Sequence, residues 1–376
     1  MRKVVFFCLL VLLSLNVFSQ SPRLIGMGNI HGYIADDNDI FTYPATINSY
    51  GNTVYAYLGN SSMENDSYNF GINYELAEAV LGLYFNKELP YLAKDEFIDC
   101  LHTNLEKNFQ MFLGFNNNMA LKFSLAVDSY SEPAYNDKEN TETAIALGLG
   151  AGYSTENRDL GLNVMFPTYS KETYTGRSTL EEKESIFLLD FHARDIFIKK
   201  GNLDIVTKLD FMYSDGVYDD GLDTDDDPVR GVINVSLGIA GVVNVNDKNK
   251  IVLGMTPFGY DSRKKEEAGE TLTMTTFIFP AFNIGLESQV CKWLVLRTGA
   301  TQYYYITKHT VEDSNNEDST TDYDSDFFYD MGLGILYKNF TLDCVFNEDF
   351  LHDGANFITG QTTNNIFGEI MLKYNF

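Results

Sequence analysis

The chain has 376 residues, 27 of them Lys or Arg against 53 Asp or Glu, and the resulting net charge of −26 excludes nucleic acid as a partner. Of four cysteines, Cys8 lies near the amino-terminus, and Cys100, Cys291 and Cys344 form an odd set without a Cys-x-x-Cys spacing or a Cys/His cluster. That excludes a disulfide framework and gives no reason to expect a metal centre or a cofactor. The 28 Phe, 24 Tyr and 29 Gly against 8 Pro suit long antiparallel strands, and a mean hydropathy of −0.17 fits strands with one apolar and one polar face.

Residues 1–20 read as a secretory signal peptide. Arg2 and Lys3 form the positive start, Val4 to Leu15 the apolar run, and Val17-Phe18-Ser19 precede a cut at Gln20 or Ser21. Cys8 sits inside the apolar run, which argues against a lipoprotein anchor. The run is short for a membrane helix, and no later stretch is long and apolar enough to be one. An exported chain of this kind is either soluble outside the cytoplasm or a membrane barrel.

Residues 21–50 show no sustained alternation. They contain Gly26-Met27-Gly28, then Ala35-Asp36-Asp37, then Tyr43-Pro44-Ala45. Read physically, the glycines permit close backbone approach and tight turns, and the paired aspartates satisfy local amides. The order and spacing resemble the amino-terminal hatch of outer-membrane transporters of the long-chain fatty-acid type, except that Tyr43 stands where the family has Asn. The resemblance implies a hatch folded into a barrel lumen, with Gly26, Gly28, Asp36, Asp37, Pro44 and Ala45 as its signature. Relatives with such a hatch include accessory barrels of secretion machinery, so it leaves the substrate open.

Residues 51–376 read as about 16 strands, with 14 as the second choice: 52–59, 66–75, 78–87, 107–116, 118–128, 143–154, 159–169, 184–198, 202–214, 231–245, 249–259, 273–288, 292–306, 326–337, 339–347 and 364–376. Phe109, Met111, Leu113 and Phe115 share one face, opposite Gln110 and Phe112; Leu203, Ile205, Leu209 and Phe211 oppose Asp204, Lys208 and Asp210. Tight turns such as 116–118, 199–202, 246–248 and Lys338 alternate with long connections at 88–106, 129–142, 170–183, 215–230, 260–272, 307–325 and 348–363. A soluble sandwich has no reason to sort loop length by parity, whereas an up-and-down transmembrane β-barrel does. Tyr213, Phe166, Tyr303 to Tyr305 and Phe327 to Tyr329 are expected at the outer membrane interface. Trp293, Tyr337, Tyr374 and Phe376 are expected at the turn side.

Two connections are acidic. Residues 215–230 hold seven Asp against one Arg, and 308–326 hold seven acids against one Lys. Asp219, Asp220, Asp223, Asp225 and Asp227 are the carboxylates that Ca²⁺ would use, but the spacing departs from an EF-hand loop, so the preferred reading is solvated surface.

The last residues alternate to the end: Ile370, Leu372, Tyr374 and Phe376 on one face, Glu369, Met371, Lys373 and Asn375 on the other. This resembles the terminal strand of bacterial outer-membrane β-barrels, which implies recognition of a strand ending at Phe376 by the barrel-assembly machinery, and outer-membrane lipid as surroundings.

No His lies in a nucleophile or metal motif, and an enzyme is not expected. Alternation places Lys122, Asp190, His192, Arg194, Lys208, Asp210, Arg297 and Lys373 on the lumen face. The expectation is a hatch-gated outer-membrane channel or transporter for small or hydrophobic solutes. The alternative is a structural or secretion-associated barrel that binds protein partners.

Overall fold

The computed structural model describes residues 21–58, 68–87, 89, 105, 107–115, 118–134, 139–174, 178–219, 221, 229–267, 270–312, 317–347 and 366–376. The expected signal peptide and the acidic residues Asp220, Asp223, Asp225 and Asp227 lie outside them. The strands are β1 (Thr53–Leu58), β2 (Tyr68–Leu76), β3 (Ala79–Phe85), β4 (Asn108–Phe115), β5 (Met119–Pro133), β6 (Glu139–Ser154), β7 (Arg158–Tyr174) and β8 (Thr179–Lys200). They continue as β9 (Leu203–Asp219), β10 (Val229–Asn246), β11 (Asn249–Glu267), β12 (Glu270–Cys291), β13 (Leu294–Glu312), β14 (Glu317–Tyr337), β15 (Phe340–Phe346) and β16 (Phe367–Asn375). Each pairs antiparallel with its neighbours in sequence, and β1 pairs with β16, Thr53 opposite Asn375 and Leu58 opposite Ile370. The fold is therefore a closed, 16-stranded, up-and-down β-barrel. Closure pairs every strand on both sides near the tight turns, while among the described residues the far part of β14, Glu317–Met331, pairs only with β13.

Alternation sorts the side chains. On β12 the outward residues Phe282, Ile284 and Leu286 are exposed while Ala281 and Asn283 are buried. Leu147, Leu149, Leu237, Leu253, Phe279 and Leu296 add to the same outer band. So much exposed aliphatic and aromatic surface is suited to hydrocarbon rather than water. Trp293, Tyr337 and Phe376 are exposed near the rim of tight turns, and Phe166, Tyr304 and Phe327 are exposed about midway along β7, β13 and β14. Tyr303 and Tyr305 depart from the expected outer belt. They alternate with Tyr304, face inward, and are only part-exposed, the Tyr305 hydroxyl donating to Asp326 at 3.0 Å.

Four connections expected as long loops are largely strand. β5 and β6 reach Pro133 and Glu139, β7 and β8 reach Tyr174 and Thr179, β11 and β12 reach Glu267 and Glu270, and β13 and β14 reach Glu312 and Glu317. Here polar pairs such as Thr310–Ser319 and Thr307–Asp322 continue the ladder. Hydrophobic alternation stops where the wall leaves the apolar band, but backbone pairing needs no apolar side chain. The wall is uneven as a result: β8, β12 and β14 span 22, 22 and 21 residues, whereas β1, β3 and β15 span 6, 7 and 7.

Candidate functional site

Residues 21–50 fold locally by short-range rules. Ser21 caps the single helical turn α1 (Pro22–Ile25), its hydroxyl accepting from the Leu24 amide at 3.3 Å, with Pro22 in the first turn where no amide is needed. Asp36 caps a 3₁₀ turn over Asp37–Phe41: it accepts from the Asn38 amide at 3.1 Å, and Asp39 accepts from the Asp36 amide at 3.0 Å. Pro44 opens a second 3₁₀ turn, Pro44–Ser49.

Both ends of this segment meet the inner wall backbone to backbone. Gly28 has φ +77°, and a Cβ there would fall 2.5 Å from the Ala300 nitrogen; one on Gly299 would fall 2.0 Å from the Met27 carbonyl carbon. Thr301 donates to the Gly28 carbonyl at 2.6 Å. Gly26 faces Gly332, 3.0 Å from its Cα for an added Cβ. At the other end, a Cβ on Gly152 would fall 2.6 Å from the Ala45 nitrogen and one on Gly161 1.9 Å from the Thr42 carbonyl oxygen. Ile47, Ala45 and Phe41 bury themselves against Tyr84, Phe112 and Ala120.

The stretch between is held through charged side chains. Lys208 donates to the His31 carbonyl at 3.2 Å, and Arg194 to the Ile34 carbonyl at 3.0 Å. Arg194 also pairs with Asp39 and Asp159, both at 2.7 Å. Lys122 donates to the Phe41 carbonyl at 3.3 Å, and Lys373 pairs with Asp37 at 2.8 Å. Arg297 does not touch the segment directly. It binds Glu287 at 2.8 Å and Asp343 at 2.6 Å, and Glu287 in turn binds Arg23 at 2.8 Å. His192 lies 2.7 Å from both Asp190 and Asp210, beneath the ring of Tyr43. All eight inward residues read from the alternation thus contact the segment directly or through a chain of paired side chains. Arg23, Asp39, Asp159, Glu287 and Asp343 were not singled out by sequence. Glu287 and Asp343 carry the same signal as the others, a charge at an inward position, while the partners of Arg23 and Asp39 follow only from the folded path of residues 21–50.

Burial shapes the acids of the segment. It pushes Asp37 up to about 7, aided by Asp36 and opposed by Lys373. It raises Asp39 to about 6 against the pull of Arg194. Asp36 is buried as well, but Arg23 and the amide and hydroxyl donors around it hold its carboxyl below the usual range. His31 is lowered to about 3 by burial and by Lys208.

On the turn side, between the segment and β6 to β11, lies a cavity of about 360 Å³. Tyr33, Asp39, Arg194, Asp204, Val242 and Lys250 are among its lining. Nearer the other rim the inner wall carries an apolar cluster, in which Ala126, Ala144, Ala146, Met165, Leu188 and Met212 pack with Leu89 and Leu105, with buried Asp128, Glu142 and Glu184 on the same strands.

No family model matches this chain, and no curated protein does. Solved barrels are similar in outline. The siderophore receptor PirA from Acinetobacter baumannii is 9% identical over 78% of this chain, with a TM-score of 0.38. The chain spans 61% of that receptor's length. Outer-membrane expressed OmpT of Vibrio cholerae is 11% identical over 86% of this chain and 95% of its own, at 0.33. CdiB from Acinetobacter baumannii is 9% identical over 86% and 59%, at 0.32.

Of the carboxylates named for calcium, only Asp219 is among the described residues. Asp219 ends β9, exposed, and accepts from the Gly221 amide at 2.9 Å. Among the described residues no group of His, Cys, Asp or Glu is placed to hold a metal ion.

Proposed function

We propose that this chain is an outer-membrane channel for small or hydrophobic solutes, whose lumen is closed by its own residues 21–50 and opens when that segment yields. The observation that carries the reading is the direction of the lumen charges: Lys122, Arg194, Lys208 and Lys373 all end on carbonyls or carboxylates of the segment. Arg194 also pairs with Asp159 of β7 and Lys208 with Asp210 of β9, so these cations tie the segment to the wall in place of bracing the wall alone. The exposed apolar outer band supports a lipid setting, with a signal peptide for export and the strand ending at Phe376 for assembly. The fatty-acid-transporter type of hatch fits the same picture, and the apolar inner wall around Met165 and Leu188 favours solutes with some hydrophobic surface. No catalytic role is part of this reading.

The test is conductance of the refolded chain in a planar bilayer beside a variant lacking residues 21–50. Current that rises on removal is expected. No current from either form, with both folded, overturns the channel in favour of a structural or secretion-associated barrel. For that second reading the specific support is the tall, polar extension of β11 to β14 beyond the apolar band, a surface suited to protein partners.

A further inference from the structure

The occlusion is not equally thick everywhere. On β9 the cavity at the turn side reaches Asp204 and Val206. Two inward positions beyond Val206, the Asp210 side chain is 18% exposed, and the intervening Lys208 is 16% exposed. On β10 the cavity reaches Asn244 and Val242, and inward Ser236 is again part-exposed beyond Ala240 and Gly238. On β11 the corresponding step runs from Lys250 past Val252 and Gly254 to part-exposed Thr256. Between the two accessible regions the segment lays Ile30, Tyr33 and Ile34 against Val206, Ala240 and Val252, and of these Tyr33 carries the polar contacts, with Lys208 over its ring at 4.9 Å.

Tyr33 fits a notch made of glycine. A Cβ on Gly238 would lie 2.5 Å from its hydroxyl oxygen, and one on Gly254 would lie 2.8 Å from its ring. The hydroxyl donates to the Met255 carbonyl at 3.2 Å. Any larger residue at either glycine would expel the ring. Tyr33 therefore sits in the wall as a removable block, held by the Met255 carbonyl, by the Thr256 hydroxyl at 3.4 Å, by a cation over its face and by shape. The backbone docking of Gly28 and of Ala45 lies elsewhere, on β13 and on β6.

We propose that Tyr33 and Lys208 are the gate of this lumen. Water and small polar solutes pass along β9 to β11 when the pair leaves its notch, while both ends of the segment stay docked. This rests on the reading of the chain as a channel closed by residues 21–50.

The experiment compares single-channel records of the full chain with those of Tyr33→Ala and Lys208→Met, each first shown to be folded by heat-dependent gel mobility. The open fraction should rise about tenfold or more in Tyr33→Ala, as expected for losing a buried aromatic anchor, and less in Lys208→Met. Lys373→Met, which frees the segment on the far side of the lumen, should raise it less than Tyr33→Ala. An equal or larger rise in Lys373→Met overturns the gate, because the segment then leaves as a whole. If the chain lacking residues 21–50 conducts while Tyr33→Ala and Lys208→Met stay closed, the gate fails and the channel stands. If that chain carries no current, the channel itself fails and the gate with it.

Discussion

The two ends of the amino-terminal segment and its middle are attached by different physics. At Gly28 and Ala45 backbone meets backbone at glycine positions of β13 and β6, a contact that tolerates no added atom. From His31 to Asp39 the hold comes chiefly from long cationic side chains, which can swing, exchange partners and answer to pH. Fixed ends and a middle clamped by charge are what the proposed gate requires.

The harshest way to break that comparison is to attack a rivet. Gly299→Val places side-chain carbon inside the Met27 backbone, so the first end should undock. Conductance of the folded variant is then expected to approach that of the chain lacking residues 21–50. If it stays at the level of the full chain, the backbone contact is dispensable. Arg194→Met comes next, because it strands Asp39 and Asp159 without their shared cation. A loss on the order of 3 kcal/mol is expected in urea unfolding. Lys373→Met removes a pair that is part-exposed on the lysine side, and about 1 kcal/mol or less is expected by the same measurement.

A gentler probe is pH. Asp37 and Asp39 have raised values in the docked segment, so docking favours their protonated forms and weakens as pH rises through about 6 and about 7. His31 works the other way, since docking favours its neutral form and weakens as pH falls below its ordinary range toward about 3. Above that ordinary range Asp37 dominates. Lowering pH from 8 to 6.5 should therefore shift the docking equilibrium toward closure by roughly two- to threefold, His31 offsetting part of the Asp37 effect, read as a fall in current. Asp37→Asn should flatten the response. The smallest effect is expected from calcium: millimolar Ca²⁺ should leave the thermal unfolding of the folded barrel unmoved. A clear upward shift would restore the acidic connection after Asp219 as a cation site.

Much of this was legible in the sequence because a strand has an exact period. Once one residue of β9 is placed, Lys208 and Asp210 must face the lumen and Leu209 and Phe211 the outside, whatever the rest of the chain does. The strand ends were less legible. Glu317 to Ser325 lack apolar alternation yet pair along their length, since a ladder standing in water is held by its backbone and neighbours. Within the segment, the capping role of Asp36 can be inferred from its Asp37-Asn38-Asp39 surroundings. The notch for Tyr33 cannot, because Gly238 and Gly254 come together with it only after β10 and β11 have paired and the segment has crossed the lumen.

The uneven wall also has a consequence for assembly. The seam that closes the barrel joins β1 to β16 over only Thr53–Leu58 and Ile370–Asn375, whereas β13 and β14 zip together from Leu294 to Glu312. That join is among the shortest in the ring, matched by the six pairs of β1 with β2 and of β14 with β15. The tall hairpins can form from neighbours in sequence at little loop-closure cost, and the one join that must bring together the two ends of the chain demands few new hydrogen bonds. The same economy makes the short sector from β14 round to β2 the part of the cylinder that would first tear.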